Sequence, residues 1–129
     1  MSNDAPIVLY VEDEAMVALV VQIALEEAGF AVDHVLNGGA ALRALDDRAA
    51  TYCAVVTDVR LPEVDGWAIG RHARELNPTV PVVYVSGDSA SEWTAQGVPG
   101  SIMVQKPFAN AQLITAVTTL LNQSTPLPL

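Results

Sequence analysis

The chain has little of three features that would widen the range of its possible functions. It contains one cysteine, Cys53, which excludes an internal disulfide and agrees with a reducing compartment. Six Lys and Arg stand against 15 Asp and Glu, and the net charge of −9 disfavours direct binding to nucleic acid or to an anionic membrane. No apolar stretch approaches the ~20 uncharged residues that a membrane span requires. The sequence therefore predicts a cytoplasmic protein, in which Cys53 serves buried packing rather than redox chemistry.

What the chain does have is the composition of one globular domain. Hydrophobic residues make up 51% of the 129 residues and charged residues 16%, which is enough to form a core and argues against disorder. No repeat, low-complexity tract or internal linker divides it. We predict a single domain over residues 1–129, with a core at about 6–122 and a mobile tail at 123–129.

Short β-rich runs alternate with longer runs of helical period. The predicted strands cover residues 7–11, 31–36, 52–57, 81–86 and 101–105. The predicted helices cover residues 15–28, 39–47, 67–76 and 91–96, and a last helix carries Leu113, Ile114, Val117, Leu120 and Leu121 on one face. The apolar face predicted for the first helix consists of Val17, Val20, Val21, Ala24, Leu25 and Ala28, and that of the third consists of Ile69, Ala73 and Leu76. Gly29 is placed to end the first helix in a left-handed conformation.

This alternation predicts an α/β fold. Strands this apolar need cover on both faces, and β-α-β crossovers are right-handed, so we expect a five-stranded parallel sheet between two layers of helices. The least regular part is the stretch 87–100, where Gly97, Pro99 and Gly100 leave room for only a short helix.

Polar residues follow four of the predicted strands, at the edge where open sheets of this kind form their sites. Asp58 comes first among them, because a lone carboxylate at the exit of a buried strand is costly unless it has a partner or a function. Strand one ends in Glu12-Asp13-Glu14, strand three in Asp58, strand four in Ser86-Gly87, and strand five in Lys106-Pro107-Phe108. Carboxylates, a hydroxyl and an ammonium should therefore meet at one edge.

Crowded carboxylates suggest a divalent cation that restores the balance of charge. Oxygen ligands favour Mg²⁺, and we expect Glu12, Asp13, Asp58 and the backbone carbonyl of Arg60 to hold it. An alternative for Glu12 and Asp13 alone is a solvated turn that caps the first helix.

An aspartate beside Mg²⁺ can attack phosphorus and become an acyl phosphate. Lys106 would neutralise charge on the phosphoryl oxygens, the Ser86 hydroxyl would donate to them, and Gly87 would let its N–H approach them closely. Ser86 and Gly87 are equally compatible with a simple turn after the strand.

Together these residues resemble the receiver domain of two-component response regulators, over nearly the whole chain. The resemblance rests on Glu12-Asp13, on the stretch Asp58-x-x-Leu61-Pro62-x-x-Asp65-Gly66, on Ser86-Gly87 and on Lys106-Pro107-Phe108. It implies a flavodoxin-like (βα)5 doubly wound sheet of order 2-1-3-4-5 and a cis Lys106-Pro107 peptide. It also implies that Asp58 accepts a phosphoryl group from a histidine kinase or phosphotransfer protein, with Glu12 and Asp13 on Mg²⁺ and with Lys106 and Ser86 on the phosphoryl oxygens.

The chain differs from the usual receiver pattern in two places. Met103 occupies the position of the aromatic residue whose two rotamers accompany switching, and methionine gives a less distinct two-position signal. The segment 87–100 is about two residues shorter than usual, and we expect it to be locally mobile rather than a long rigid helix.

Five other side chains have less specific interpretations. Trp67 is expected to pack rather than to catalyse, and Trp93 is compatible with either a partner contact or burial. His34 and His72 have no ligand-like neighbours in sequence, so neither metal binding nor phosphoryl carriage is favoured. The Arg60 side chain either modulates the access of water to the acyl phosphate or is a solvated loop residue.

The leading hypothesis is a phosphorylation switch that assists its own phosphorylation and dephosphorylation and is not an enzyme acting on a separate substrate. A hydrolase of the haloacid-dehalogenase type is disfavoured, because Arg60 stands where such enzymes carry a second aspartate. A receiver that binds its partner without phosphorylation stays an alternative. The Pro-containing tail favours a stand-alone regulator over a receiver excised from a longer protein, although the sequence leaves the kinase, the target and the oligomeric state open.

Overall fold

In a computed structural model that describes residues 5–124, five parallel strands alternate with helices along the chain. The strands are β1 (Ile7–Val11), β2 (Ala31–Val35), β3 (Tyr52–Asp58), β4 (Val82–Ser86) and β5 (Ile102–Gln105). The helices are α1 (Ala15–Glu27), α2 (Gly38–Arg48), α3 (Gly66–Leu76), α4 (Trp93–Gln96) and α5 (Asn110–Ser124), with 3₁₀ turns at Ala49–Thr51 and Ala90–Glu92. All predicted elements are present, and their ends differ from the prediction by a few residues.

The sheet order is β2-β1-β3-β4-β5, and each neighbouring pair is parallel. This confirms the flavodoxin-like order that the resemblance implies. One face of the sheet packs against α2 and α3 through a core that includes Leu9, Val55 and Tyr84. The other packs against α1 and α5 through a core that includes Val56 and Val117. Both faces are covered, which explains why β1, β3 and β4 carry buried apolar residues on both of their faces.

The buried face of α1 differs from the predicted one. Ala18, Val21 and Leu25 are buried, whereas Val20 is 55% exposed and Ala28 is exposed. The sequence of α1 is apolar around most of its circumference, so helical periodicity could not select the face that meets the sheet. Gly29 follows the helix with φ of +101° and donates its N–H to the Glu26 carbonyl at 3.0 Å, as the left-handed end requires.

Two smaller expectations are also corrected, and a third is only partly covered by the described residues. Ile69 and Ala73 are buried as predicted, but Leu76 is 45% exposed because it is the last residue of α3, where the chain turns into extended backbone. Cys53 is half-buried rather than buried, and burial raises the pKa of its thiol. Residues 123 and 124 belong to α5, and residues 125–129 lie outside the described residues, so the mobility expected of residues 123–129 stays a prediction.

The segment between β4 and β5 contains only the 3₁₀ turn and the single turn of α4, as the prediction of a short helix requires. Side-chain hydrogen bonds hold its second half. The Val98 N–H donates to the Tyr84 hydroxyl at 3.1 Å, and the Arg74 guanidinium donates to the Pro99 carbonyl at 2.7 Å. The half-buried Trp93 donates from its indole N–H to Ser101 Oγ at 2.9 Å. The expected mobility of this segment stays a prediction.

Within residues 5–124, no helix combines the length and the apolar character needed to cross a bilayer.

Candidate functional site

Charged residues at the carboxyl ends of β1, β3 and β5 meet at one edge of the sheet. The Lys106 ammonium lies 3.3 Å from Asp58 Oδ2, 3.2 Å from Asp58 Oδ1 and 3.6 Å from Glu12 Oε1. Glu12 is fully buried and Asp58 is 4% exposed, while Asp13 is exposed. Glu12, Asp13 and Asp58 each bring a carboxylate oxygen within 4.8 Å of the others. Three separate strand ends thus build one acidic cluster around a single ammonium.

The charges in this cluster are not balanced. Burial raises the pKa of Asp58, the neighbouring carboxylate of Glu12 raises it further, and Lys106 only partly opposes them. Burial lowers the pKa of Lys106, but the charges of Asp58 and Glu12 outweigh that effect and leave it raised. One ammonium therefore stabilises the nearby carboxylates incompletely.

Two buried oxygens of the cluster lack hydrogen bonds. Among the described residues, Glu12 Oε1 and Asp58 Oδ1 are the buried side-chain atoms without a hydrogen-bond partner. Asp58 Oδ1 is close to the Lys106 ammonium, but the contact is an ion pair whose geometry is not that of a hydrogen bond. Unpartnered carboxylate oxygens at the centre of an acidic group are the donor set that Mg²⁺ prefers. The residues present therefore fit a divalent cation.

Glu12 is held by the backbone around it. Its N–H donates to the Val35 carbonyl of β2 at 3.2 Å, and its Oε2 accepts the Glu14 N–H at 3.1 Å. The His34 Nε2 lies 2.9 Å from the Glu12 carbonyl oxygen. Because the Glu12 carboxylate is fully buried, the alternative of a solvated turn is wrong for this residue. Sequence reasoning missed His34, whose partner is 22 residues away in the chain.

The loop after β3 fixes the position of Asp58. The Asp58 carbonyl accepts the Thr57 hydroxyl at 2.8 Å. A Cβ on Gly66 would lie 2.1 Å from the same carbonyl oxygen, so only glycine permits this close approach of backbone to backbone. Asp65 caps α3 by accepting the Ala68 N–H at 2.9 Å. The Asp65-Gly66 pair therefore serves the geometry of the loop that carries Asp58.

Ser86 is buried at the end of β4, but its hydroxyl faces the following loop. Ser86 Oγ accepts the N–H groups of Asp88 at 3.2 Å and Ser89 at 2.9 Å, and the structure records no hydrogen bond between the described Ser86 and Asp58 side chains. Gly87 is exposed, and an added Cβ there would meet only Lys106 Cβ at 3.8 Å. The phosphoryl contacts expected of Ser86 and Gly87 stay predictions.

Asp88 is a second residue that sequence reasoning missed. Its Oδ1 accepts the Ser89 hydroxyl at 3.0 Å and Arg60 Nε at 3.2 Å, and the Ser86 hydroxyl is 3.4 Å away. The hydrogen bonds from Ser89 and Arg60 hold the pKa of Asp88 below its usual value. The Arg60 side chain is 70% exposed, so its ion pair lies in solvent, where such pairs contribute little to stability.

The peptide between Lys106 and Pro107 is cis, as the resemblance implies.

The fold and the acidic edge define a receiver-type α/β domain. The chain matches the family model described as "Response regulator receiver domain" over residues 8–118, and it belongs to that family. It is therefore homologous to the receiver domains of two-component response regulators and histidine kinases, and the match favours a signalling switch over the hydrolase alternative.

Three similar proteins show the range of contexts in which this domain occurs. The probable transcriptional regulatory protein SilR of Salmonella typhimurium is 34% identical over 118 residues, which cover 90% of this chain and 51% of that protein. The sensor kinase CckA of Brucella abortus is 33% identical over 119 residues, which cover 90% of this chain and 12% of that protein. A crystal structure of a response regulator receiver protein from Sinorhizobium medicae superposes with a TM-score of 0.91 at 45% identity, covering 96% of this chain and 100% of that one. The chain thus spans about half of SilR and a much smaller part of CckA.

Proposed function

We propose that this receiver domain is a phosphorylation switch in which Asp58 accepts a phosphoryl group from a histidine kinase or a histidine phosphotransfer protein. The observation that carries the proposal is the position of Asp58. Its carboxylate ends a buried strand, contacts the Lys106 ammonium and has one buried oxygen without a hydrogen bond. A buried carboxylate in such surroundings is a candidate nucleophile.

In the proposed reaction, a carboxylate oxygen of Asp58 forms a bond to phosphorus while the bond from phosphorus to the donor imidazole nitrogen breaks. The electron pair of that bond leaves with the imidazole, which takes up a proton. Lys106 is already within 3.3 Å of both Asp58 oxygens and would stabilise the charge on the transferred group. Glu12, Asp13, Asp58 and the Arg60 carbonyl would hold Mg²⁺, which when bound neutralises charge on the phosphoryl oxygens.

The switch would act through Ser86. To donate to a phosphoryl oxygen, its hydroxyl must turn away from the loop, where it accepts the N–H groups of Asp88 and Ser89. Gly87 would supply a backbone N–H to the same phosphoryl group. The loop then loses its contacts with Ser86, and the surface formed by α4 and the half-buried Met103 changes.

The surface beside Asp58 suits a helical phosphodonor. Met16, Leu19, Val20 and Ile23 of α1 are 77%, 53%, 55% and 47% exposed. Next to them, Lys106, Pro107 and Phe108 help to line an apolar groove of about 580 Å³. Because the groove is continuous with the acidic cluster through Lys106, a histidine-bearing helix packed in it would lie at the same edge as Asp58.

Phosphoryl uptake tests the proposal directly. Incubation with acetyl phosphate or phosphoramidate and Mg²⁺ should add the mass of one phosphoryl group, and Asp58→Asn should abolish that gain. Asp33→Asn is the matched control, because this aspartate is engaged by Arg48 and Tyr52 away from the cluster. No gain of mass with any donor would exclude the switch.

One observation favours a second candidate, a receiver that binds its partner without phosphorylation. The Ser86 hydroxyl is occupied by its own loop, and Met103 lacks the two distinct positions of an aromatic side chain. Such a receiver would bind its partner with equal affinity before and after treatment with beryllofluoride, whereas the switch requires a difference.

A further inference from the structure

Both backbone groups of Glu12 are bound from the neighbouring strand β2. The Glu12 N–H donates to the Val35 carbonyl at 3.2 Å, and the Glu12 carbonyl oxygen lies 2.9 Å from His34 Nε2. A carbonyl oxygen can only accept, so the hydrogen bond requires that His34 carries a proton on Nε2. That nitrogen is therefore not available to coordinate a cation.

The imidazole of His34 is itself held in place. His34 pairs with Tyr10 in the register of β1 and β2, and the two ring centroids are 5.7 Å apart at an angle of 38°. Tyr10 is buried and His34 is half-buried. The ring contact limits rotation of the imidazole and directs its Nε2–H toward the end of β1.

From this arrangement we infer that His34 is a positioning residue for the acidic cluster, acting through the Glu12 carbonyl rather than as a ligand. That carbonyl belongs to the peptide that joins Glu12 to Asp13, so its direction sets the orientation of the backbone on which both carboxylates stand. The Glu12 carboxylate has its own hydrogen bond from the Glu14 N–H, so His34 acts on the peptide rather than on the carboxylate itself. The assumption that the cluster binds Mg²⁺ rests on the proposed function.

Two substitutions separate the hydrogen bond of His34 from its packing. His34→Phe keeps an aromatic ring beside Tyr10 but has no N–H, whereas His34→Gln keeps a donor at a similar reach and loses the ring. Substituting a residue that hydrogen-bonds to a metal ligand typically weakens metal binding by about 10–100-fold. Calorimetric titration of the whole chain with MgCl₂ should show about tenfold weaker binding or more for His34→Phe, and recovery of most of this loss in His34→Gln.

The matched control is His72→Phe, which removes the other histidine of the chain. His72 Nε2 lies 2.7 Å from Asp46 Oδ1, between α3 and α2, and has no contact with the acidic cluster in the described part of the chain. Its loss should leave Mg²⁺ affinity unchanged. Equal Mg²⁺ affinity in His34→Phe and the wild type would overturn the inference.

A second readout needs no metal. In EDTA, amide exchange measured by NMR should be faster at Glu12 and Glu14, whose N–H groups donate to the Val35 carbonyl and to Glu12 Oε2, in His34→Phe than in the wild type or in His34→Gln. Unchanged exchange at both amides would also overturn the inference. If the wild type bound no Mg²⁺, the cation site in the proposed function would be refuted. The amide exchange rates in EDTA would still test the positioning role of His34. If His34→Phe did not fold, the ¹⁵N spectrum of the wild-type imidazole would decide, because Nε2 must be protonated and an Nδ1-protonated tautomer would refute the hydrogen bond.

Discussion

The lack of a side chain at Gly70 leaves the space that the Tyr84 ring occupies. A Cβ added to Gly70 in α3 would lie 2.1 Å from the Tyr84 hydroxyl oxygen and 2.9 Å from Cζ. The tyrosine cannot easily move away, because it is fully buried, packs on Trp67 with centroids 4.7 Å apart, and accepts the Val98 N–H. Glycine at this position therefore has a steric cause that outweighs its poor helix propensity.

We expect Gly70→Ala to destabilise the protein by about 1–3 kcal/mol, the usual cost of overpacking a core. Alanine should otherwise stabilise a helix interior by about 0.5–1 kcal/mol. Gly39→Ala in α2 is the matched control, since its Cβ would lie 3.5 Å from the nearest atom. Urea denaturation of both variants measures the difference, and equal stability of the two would contradict the steric account.

The side chains predicted from the sequence and those it missed differ in how their partners are connected. Glu12, Asp58 and Lys106 could be predicted to meet, because each follows a strand and the strands of a parallel sheet end at one edge. His34 and Asp88 could not. Their contacts join residues 22 and 28 positions apart through side-chain directions that no local pattern encodes.

At the scale of elements, different residues hold the two halves of the segment between β4 and β5. Tyr84 and Arg74 bind Val98 and Pro99 in its second half. In its first half, the Ser86 hydroxyl binds the N–H groups of Asp88 and Ser89. If Ser86 turned toward a phosphoryl group, the first half would be released while the second stayed bound. The short α4 would then move about its C-terminal side.

Tyr84→Phe tests the anchor of that second half. The substitution leaves the buried Val98 N–H without an acceptor, which typically costs about 1–3 kcal/mol. We expect faster hydrogen exchange at the Val98 amide, measured by NMR, with little change in the strands of the core. Tyr52→Phe is the control, because its hydroxyl binds Asp33 rather than this segment. Unchanged exchange at Val98 in Tyr84→Phe would show that the hydrogen bond does not anchor the segment.

Sequence patterns predicted which helices and strands form, and in what order, better than they predicted which face of each helix is buried. The alternation of strands and helices was sufficient to predict a parallel sheet, and Gly97, Pro99 and Gly100 were sufficient to predict a short α4. The face of α1 was wrong in part, because an almost wholly apolar helix has no polar side that marks solvent. Val20 is exposed beside the groove near Lys106, where the proposed partner would bind.

At the scale of the whole molecule, the screening of its net charge by salt must be distinguished from the binding of a cation at a specific site. The net charge of −9 makes the folded state repel itself, so any added salt should stabilise it by screening. A specific site acts differently, since a ligand that binds only the folded state adds RT ln(1 + [L]/Kd) to the free energy of unfolding. The acidic cluster and the general field therefore predict different responses to Mg²⁺ and to Na⁺.

We expect MgCl₂ to raise the free energy of unfolding more than NaCl at the same ionic strength, by about 2.7 kcal/mol once Mg²⁺ exceeds its dissociation constant a hundredfold. Thermal or urea denaturation in EDTA, NaCl and MgCl₂ measures this. Asp13→Asn removes one carboxylate from the cluster and should abolish most of the Mg²⁺-specific part. Asp47→Asn removes the same charge from a side chain that is 74% exposed on α2, and should keep it. Equal stabilisation by the two salts, or equal losses in the two variants, would mean that Mg²⁺ only screens the acidic surface.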